Sequence, residues 1–288
     1  MRGDYKMIRV LKHFYRKLKE ISIKVLDFYR FEIKKRIRLE IMVAEHCNLQ
    51  CIGCLYFSPI AEKIFLDVSR YKEDCKRFSE LAKKYVYRID LLGGEPLLHQ
   101  DIVEIIRITR NYFDKSEIKI STNGILLDRM KPEFWIACKE NDVSILITSY
   151  PINLNVQKIC EMASQYDVTV KNRGSDFRMK FCKTSYDVNG SQNKKESFKK
   201  CTQKKCHQLN GGKFYICTPV PCIKHLNNYF ASEFEVSTGD YLDIYRIKDA
   251  KELFKLRRKP IPFCRYCNVS AKVTINWERS KKEISEWL

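Results

Sequence analysis

The sequence holds no run approaching the ~18 apolar residues of a membrane-spanning helix, so an integral membrane protein is not expected. It shows no secretory pattern either, because Lys and Arg interrupt every apolar stretch before Arg38. No internal repeat is visible. Disorder is excluded by 44% hydrophobic and 12% aromatic residues. The 288 residues suffice for one sizeable core, or one core with a small appendage. The expectation is a cytoplasmic protein. In that reducing compartment its 13 cysteines do not form a disulfide framework, and an odd number does not pair completely. Metal ligands plus a few buried thiols is the reading that remains.

What is present in excess is positive charge, +19 in all, and it is unevenly placed. Residues 1–38 carry 13 basic and 4 acidic side chains, residues 39–190 carry 21 of each, and residues 191–224 carry 8 and 1. The flanks are therefore either solvated surface or a docking face for an anionic partner. Met7, Leu11, Phe14, Leu18, Ile21, Val25 and Phe28 recur at spacings of four and three, which predicts a basic amphipathic helix in residues 1–36. Such a helix packs its stripe on the protein or a second subunit, or makes peripheral contact with an anionic membrane.

Residues 39–172 alternate strand and helix. Strands are expected at Arg38–Ala44, Val86–Leu92, Ile118–Ser121, Val143–Thr148 and Val168–Lys171. Helices are expected at Asp67–Tyr85, Asp101–Tyr112, Pro132–Asn141 and Val156–Gln165. The alternation predicts parallel pairing with right-handed crossovers, in an open partial barrel of about five or six units. Residues 174–212 are rich in Lys, Ser, Asn and Gln, and Asn189–Gln192 reads as an exposed loop. The expected organisation is an N-terminal helix (1–36), an α/β core (37–190) and a small cysteine-rich extension (191–288).

Cys47, Cys51 and Cys54 follow the first strand directly, at spacings of four and three. Three thiolates on one loop can hold an iron–sulfur cubane and leave one iron open to a ligand. A structural zinc would need a fourth ligand from elsewhere, and both readings stand on spacing alone. The loop lies at the C-terminal end of its strand, where parallel barrels place their chemistry. Asp90-Leu91-Leu92-Gly93-Gly94-Glu95-Pro96 ends the second strand and Ser121-Thr122-Asn123-Gly124 the third.

These three motifs in order make residues 38–172 resemble the radical S-adenosylmethionine (SAM) superfamily, whose signature is CxxxCxxC after the first strand. The resemblance implies a partial (β/α)6-type barrel. It implies a 4Fe–4S cluster on Cys47, Cys51 and Cys54, and reductive cleavage of S-adenosylmethionine to a 5′-deoxyadenosyl radical that abstracts hydrogen from a substrate. It implies an electron donor such as flavodoxin or ferredoxin. It places Gly53, Gly93, Gly94, Glu95, Ser121 and Asn123 against the cofactor. Gly93 and Gly94 would let the strand end approach the methionine moiety, with Glu95 binding there or bracing the loop. Ser121 and Asn123 would meet ribose hydroxyls or the carboxylate. The family usually has an aromatic residue where this chain has Gly53; Tyr56 or Phe57 is the candidate for stacking on adenine.

Cys201, Cys206, Cys217, Cys222, Cys264 and Cys267 form a second group, with Gly211-Gly212 reading as a hairpin turn before Cys217. This segment is similar to the SPASM extension of such enzymes or its shortened twitch form. The absence of cysteine after Cys267 favours the shortened form, with one auxiliary iron–sulfur cluster at most. The implied ligands are Cys217, Cys264 and Cys267 with Cys201 or Cys206, and zinc is the alternative metal. Cys75, Cys138, Cys160 and Cys182 read as ordinary buried thiols, and His46 and His99 as structural. The wording around Cys54–Ala61 and Gly94–His99 is similar to radical enzymes of surface-polysaccharide synthesis, implying a sugar or nucleotide-sugar substrate. A peptide- or protein-maturing enzyme and a non-catalytic zinc scaffold are the alternatives. Nucleic acid is not expected, because no separate RNA-binding module accompanies the charge.

Overall fold

The computed structural model describes residues 35–172 and 180–288 of the chain. The amphipathic helix expected in residues 1–36 falls almost wholly outside the described residues. Residues 37–288 form one compact unit. Among the described residues, no helix is long and apolar enough to cross a membrane.

The alternation expected from sequence is present. β1 (Ile37–Ala44), β2 (Val86–Gly93), β3 (Glu117–Thr122), β4 (Val143–Ile147) and β5 (Val170–Asn172) pair in parallel as successive neighbours. The intervening helices are α1 (Val68–Ala82), α2 (Ile102–Tyr112), α3 (Pro132–Glu140) and α4 (Val156–Gln165). Their starts follow local chemistry. The Asp67 carboxylate accepts the Arg70 N–H at 2.8 Å and the Asn155 amide oxygen accepts the Lys158 N–H at 3.0 Å, each satisfying an orphan donor of a first turn. Pro132 opens α3, where its missing N–H is not needed.

The C-terminal residues extend the same sheet. After β6 (Lys180–Tyr186) and α5 (Lys194–Lys200), β7 (His207–Asn210) pairs in parallel with β1 on the side away from β2. β8 (Lys213–Tyr215) and β9 (Tyr241–Asp243) follow antiparallel, giving the order β5-β4-β3-β2-β1-β7-β8-β9. Gly211 and Gly212 turn the β7–β8 hairpin at φ +54° and +73°, the left-handed pair that a two-residue turn requires. α6 (Ile223–Phe230) and α7 (Lys251–Leu256) flank β9 in sequence, and β10 (Cys267–Asn276) pairs antiparallel with β6 in a separate two-stranded sheet. The polar stretch before residue 212 contains β6 and α5, on either side of the exposed loop expected at Asn189–Gln192. Its tip does follow the sequence: the Asp187 carboxylate accepts from the backbone of Asn189 and Ser191 and closes the exposed turn.

The two faces of the parallel sheet differ because side chains alternate along each strand. Leu39, Ile41, Ile89, Leu91, Ile118 and Ile120 are fully buried and pack with Phe78, Ile105 and Phe134 of the helices in one core. The alternate positions are polar: Arg38 and Glu40 on β1, Arg88 and Asp90 on β2, Lys119 and Ser121 on β3. The sheet thus covers its helices with hydrocarbon and turns charge to the other side.

Candidate active site

The cysteine loop leaves β1 at Ala44 and is fixed from several directions. The Glu45 carboxylate accepts Lys224 Nζ at 2.9 Å and meets His225 Nε2 at 2.5 Å, both on α6. The Leu49 N–H donates to Cys47 Sγ at 3.3 Å, and Asn123 Nδ2 donates to Asn48 Oδ1 at 2.7 Å. Gly53 takes φ +60°, a left-handed turn between Cys51 and Cys54 that suits glycine. All three thiols line one cavity of about 560 Å³, together with Gly53, Gly93, Gly94, Ser121 and Asn123. Burial pushes the Cys47 thiol far above its ordinary range.

Gly93 and Gly94 border this cavity, but their missing side chains serve the protein itself. A Cβ at Gly93 would collide with the Ala44 carbonyl oxygen, and one at Gly94 with the His46 carbonyl. The Gly94 N–H donates to Ala44 O at 2.7 Å and the Glu95 N–H to His46 O at 3.0 Å. The room where a Cβ would stand at these two positions is filled by backbone, and the two glycines strap β2 against the root of the cysteine loop.

Glu95 is the brace rather than a cavity group. It is fully buried, and its carboxylate accepts from the Leu97 N–H at 3.1 Å, the Thr122 hydroxyl at 2.7 Å and the Asn123 N–H at 2.9 Å. Burial raises its carboxyl to about 7 against the pull of those donors. Of the residues proposed for adenine stacking, Phe57 is fully buried against Tyr186 and Trp287, while Tyr56 faces the cavity. Tyr150, Thr148, Arg38 and Glu40 also line it and were not singled out from sequence. The alternation of Arg38 and Glu40 with Ile37, Leu39 and Ile41 was the available signal. Arg38 Nε meets Asp90 Oδ2 at 2.5 Å and Arg88 Nε meets Asp90 Oδ1 at 2.9 Å, while Glu40, at the cavity wall with Arg38, meets Arg38 Nη2 at 3.5 Å. Burial raises the Glu40 carboxyl despite Arg38.

His99 is structural: its Nε2 meets Leu66 O at 2.8 Å and its Nδ1 accepts the Asp101 N–H at 3.0 Å. His46 packs edge-on against Phe65 at 4.8 Å. Cys75 and Cys138 are buried as expected, Cys160 only partly, whereas Cys182 is exposed and lines the cavity.

The second cysteine group divides. Burial pushes Cys217 well up, and the neighbouring thiols that add to this are those of Cys267, Cys201 and Cys264. Cys264 is raised to about 11 and Cys267 to about 12, in each case chiefly by burial. Cys206 is raised to about 12 by burial and then by Glu40, and it borders the main cavity. Cys201, not Cys206, stands with the other three. Cys222 is fully buried, its sulfur 3.7 Å from that of Met42. Among the described residues, no three His, Cys, Asp or Glu side chains converge on a single-ion position. A cubane instead spreads its thiolates over separate irons.

Residues 41–172, a little under half of the chain, match the Radical SAM superfamily domain. That domain implies a 4Fe–4S cluster and S-adenosylmethionine. Relatives include GTP 3′,8-cyclase of Petrotoga mobilis, 29% identical over 106 residues covering 37% of this chain and 32% of that protein. GTP 3′,8-cyclase of Chlorobaculum tepidum is 40% identical over 91 residues, covering 32% and 27%. The matched part spans about a third or less of these curated relatives. Over most of the chain the fold is shared with the crystal structure of BtrN in complex with AdoMet and 2-DOIA: 17% identity, TM-score 0.51, covering 81% of this chain and 93% of that one.

Proposed function

We propose that this protein is a radical SAM enzyme whose catalytic cluster is held by Cys47, Cys51 and Cys54. The observation that carries this reading is that the three thiols, the Gly93-Gly94 strand end and Ser121 and Asn123 of the next strand end all face one cavity. The donor set fits the group, with three thiolates on one loop and a fourth iron left for S-adenosylmethionine. When bound, the cluster and S-adenosylmethionine supply reductive cleavage of the cofactor and hydrogen abstraction from the substrate. The chain's own part is placement. Gly93 and Gly94 fix the loop root, Glu95 fixes the Thr122–Asn123 corner, and Asn123 ties that corner to Asn48 beside Cys47. Tyr56 and Tyr150 offer aromatic surface to adenine. Cys201, Cys217, Cys264 and Cys267 form the set for an auxiliary iron–sulfur cluster of twitch type.

The substrate we propose is a small hydroxyl-rich molecule, a sugar or nucleotide sugar. Arg38, Glu40, Ser58, Gln203 and Thr218 give the cavity wall hydrogen-bonding groups. The test is anaerobic reconstitution with a strong reductant and panels of sugars, nucleotide sugars and peptides. Sugar-stimulated release of 5′-deoxyadenosine supports the reading. Stimulation by peptides alone replaces the substrate class, and a protein that binds zinc and no iron overturns the enzyme.

A further inference from the structure

The last residues of the chain run along the cysteine loop. The Ile52 N–H donates to Glu278 O at 3.0 Å and the Ser280 N–H to Gln50 O at 2.9 Å, so the tail pairs antiparallel with the loop, Cys51 opposite Arg279. The tail is anchored at both ends. At one end it continues from β10. At the other, Trp287 is buried against Phe57 and Phe230, and its indole N–H donates to Cys54 O at 3.0 Å. Between them, the buried Glu286 carboxylate accepts the Ser280 hydroxyl and the Lys281 N–H, both at 2.6 Å, which closes the tail on itself. Gly53 sits beneath this strap, with Glu286 O and the Ile275 side chain within 3.6 Å of where a Cβ would stand. One tail side chain reaches a ligand sulfur directly. The half-buried Trp277 donates its indole N–H to Cys51 Sγ at 3.2 Å, with its ring 6.2 Å from that of the cavity-lining Tyr150.

We propose that the C-terminal strap is the outer wall of the cluster site and that Trp277, acting through Cys51, raises the reduction potential of the cluster. This rests on the reading of Cys51 as a cluster ligand. Indole nitrogen is a donor only, so it has no role toward a sulfur other than to stabilise negative charge there. Reduction adds an electron to the cluster and increases charge on its thiolates. A fixed N–H donor therefore favours the reduced form, and hydrogen bonds to the sulfurs are one of the levers that set such potentials. The anchors at β10 and Trp287 hold the indole in place, so this donor does not have to be recruited from solvent when the electron arrives. Trp277 is a positioning and tuning residue and is not among the residues that line the cavity.

The test uses the full-length, anaerobically reconstituted protein. The signal followed by EPR-monitored redox titration is the one that changes when S-adenosylmethionine is added. Trp277→Phe keeps an aromatic ring and removes the donor; its midpoint is expected to fall below wild type at equal iron content. Trp277→His restores a ring N–H, and its midpoint is expected to move back toward wild type. An unchanged midpoint in the Phe variant overturns the proposal. Should that variant lose its cluster, the wild-type protein carrying ¹⁵N-indole tryptophan decides. A nitrogen and exchangeable-proton coupling to the reduced cluster supports the hydrogen bond, and its absence overturns it. A wild-type chain that takes up no iron fails the cluster assignment first, and this inference with it.

Discussion

Thr122 donates its hydroxyl to the fully buried carboxylate of Glu95 at 2.7 Å, joining the end of the third parallel strand to the turn after the second. The adjacent Asn123 N–H donates to the other oxygen at 2.9 Å. Removing the carboxylate orphans these two donors and the Leu97 N–H, and each unsatisfied buried group costs about 1–3 kcal/mol. Glu95→Ala is therefore expected to lower stability by about 3 kcal/mol or more in urea unfolding of the metal-free protein. It is also expected to weaken S-adenosylmethionine binding, since Asn123 loses its support. A variant that unfolds at the wild-type urea midpoint contradicts the brace.

Gly94 makes a different demand. Any Cβ there meets the His46 carbonyl group, which is backbone and cannot rotate away. Gly94→Ala is expected to displace the cysteine loop and to cost about 3 kcal/mol, the upper end for overpacking. Cluster incorporation should fall with it. Wild-type stability together with full iron loading would show that the loop root is looser than the structure has it.

The order of strands and helices to Asn172 was legible because hydrophobic period and turn residues agree with the tertiary structure. The three motifs were legible because their residue types are tied to chemistry. What Gly93, Gly94 and Glu95 do was not, since a missing side chain gives the same sequence signal whether a ligand or the chain's own backbone fills the space. β7 was hidden by its shortness and by its partner: His207–Asn210 pairs with β1, some 170 residues earlier. The division of Cys201 from Cys206 was also out of reach. Five residues apart in a polar stretch, they differ only in which side of the turn at 203–205 they leave from. Trp277 carried no signal, because its role depends on the tail returning to Cys51.

That division of cysteines is measurable. Cys201→Ser is expected to lower reconstituted iron by about four atoms per chain, the content of one cubane, as is Cys264→Ser/Cys267→Ser. Cys206→Ser should keep the wild-type content, because its thiol borders the main cavity beside Glu40. Iron loss in the Cys206 variant with retention in the Cys201 variant would reverse the assignment.

His207 supplies a pH dependence. It is buried, its Nδ1 meets Arg38 O at 3.1 Å, and burial pushes its pKa down to about 3, with the charge of Arg257 adding to the effect. The unfolded chain takes up a proton near 6.5 and the folded chain does not until about 3. This contribution to stability is therefore complete above pH 6.5 and lost as pH falls through that window. Between pH 6 and 4 the wild-type metal-free protein should lose stability more steeply than His207→Gln, by up to one proton, about 1.4 kcal/mol per pH unit. Parallel slopes for the two proteins would place that imidazole in a wetter setting.

The most direct measurement is production of 5′-deoxyadenosine from S-adenosylmethionine by the anaerobically reconstituted, dithionite-reduced protein, compared with Cys47→Ser, Cys51→Ser and Cys54→Ser. The wild type is expected to release it, and each variant to lose the activity together with the iron signal that S-adenosylmethionine perturbs. Undiminished release by a variant with all three substitutions combined would contradict the assignment of these three thiols as the cluster ligands.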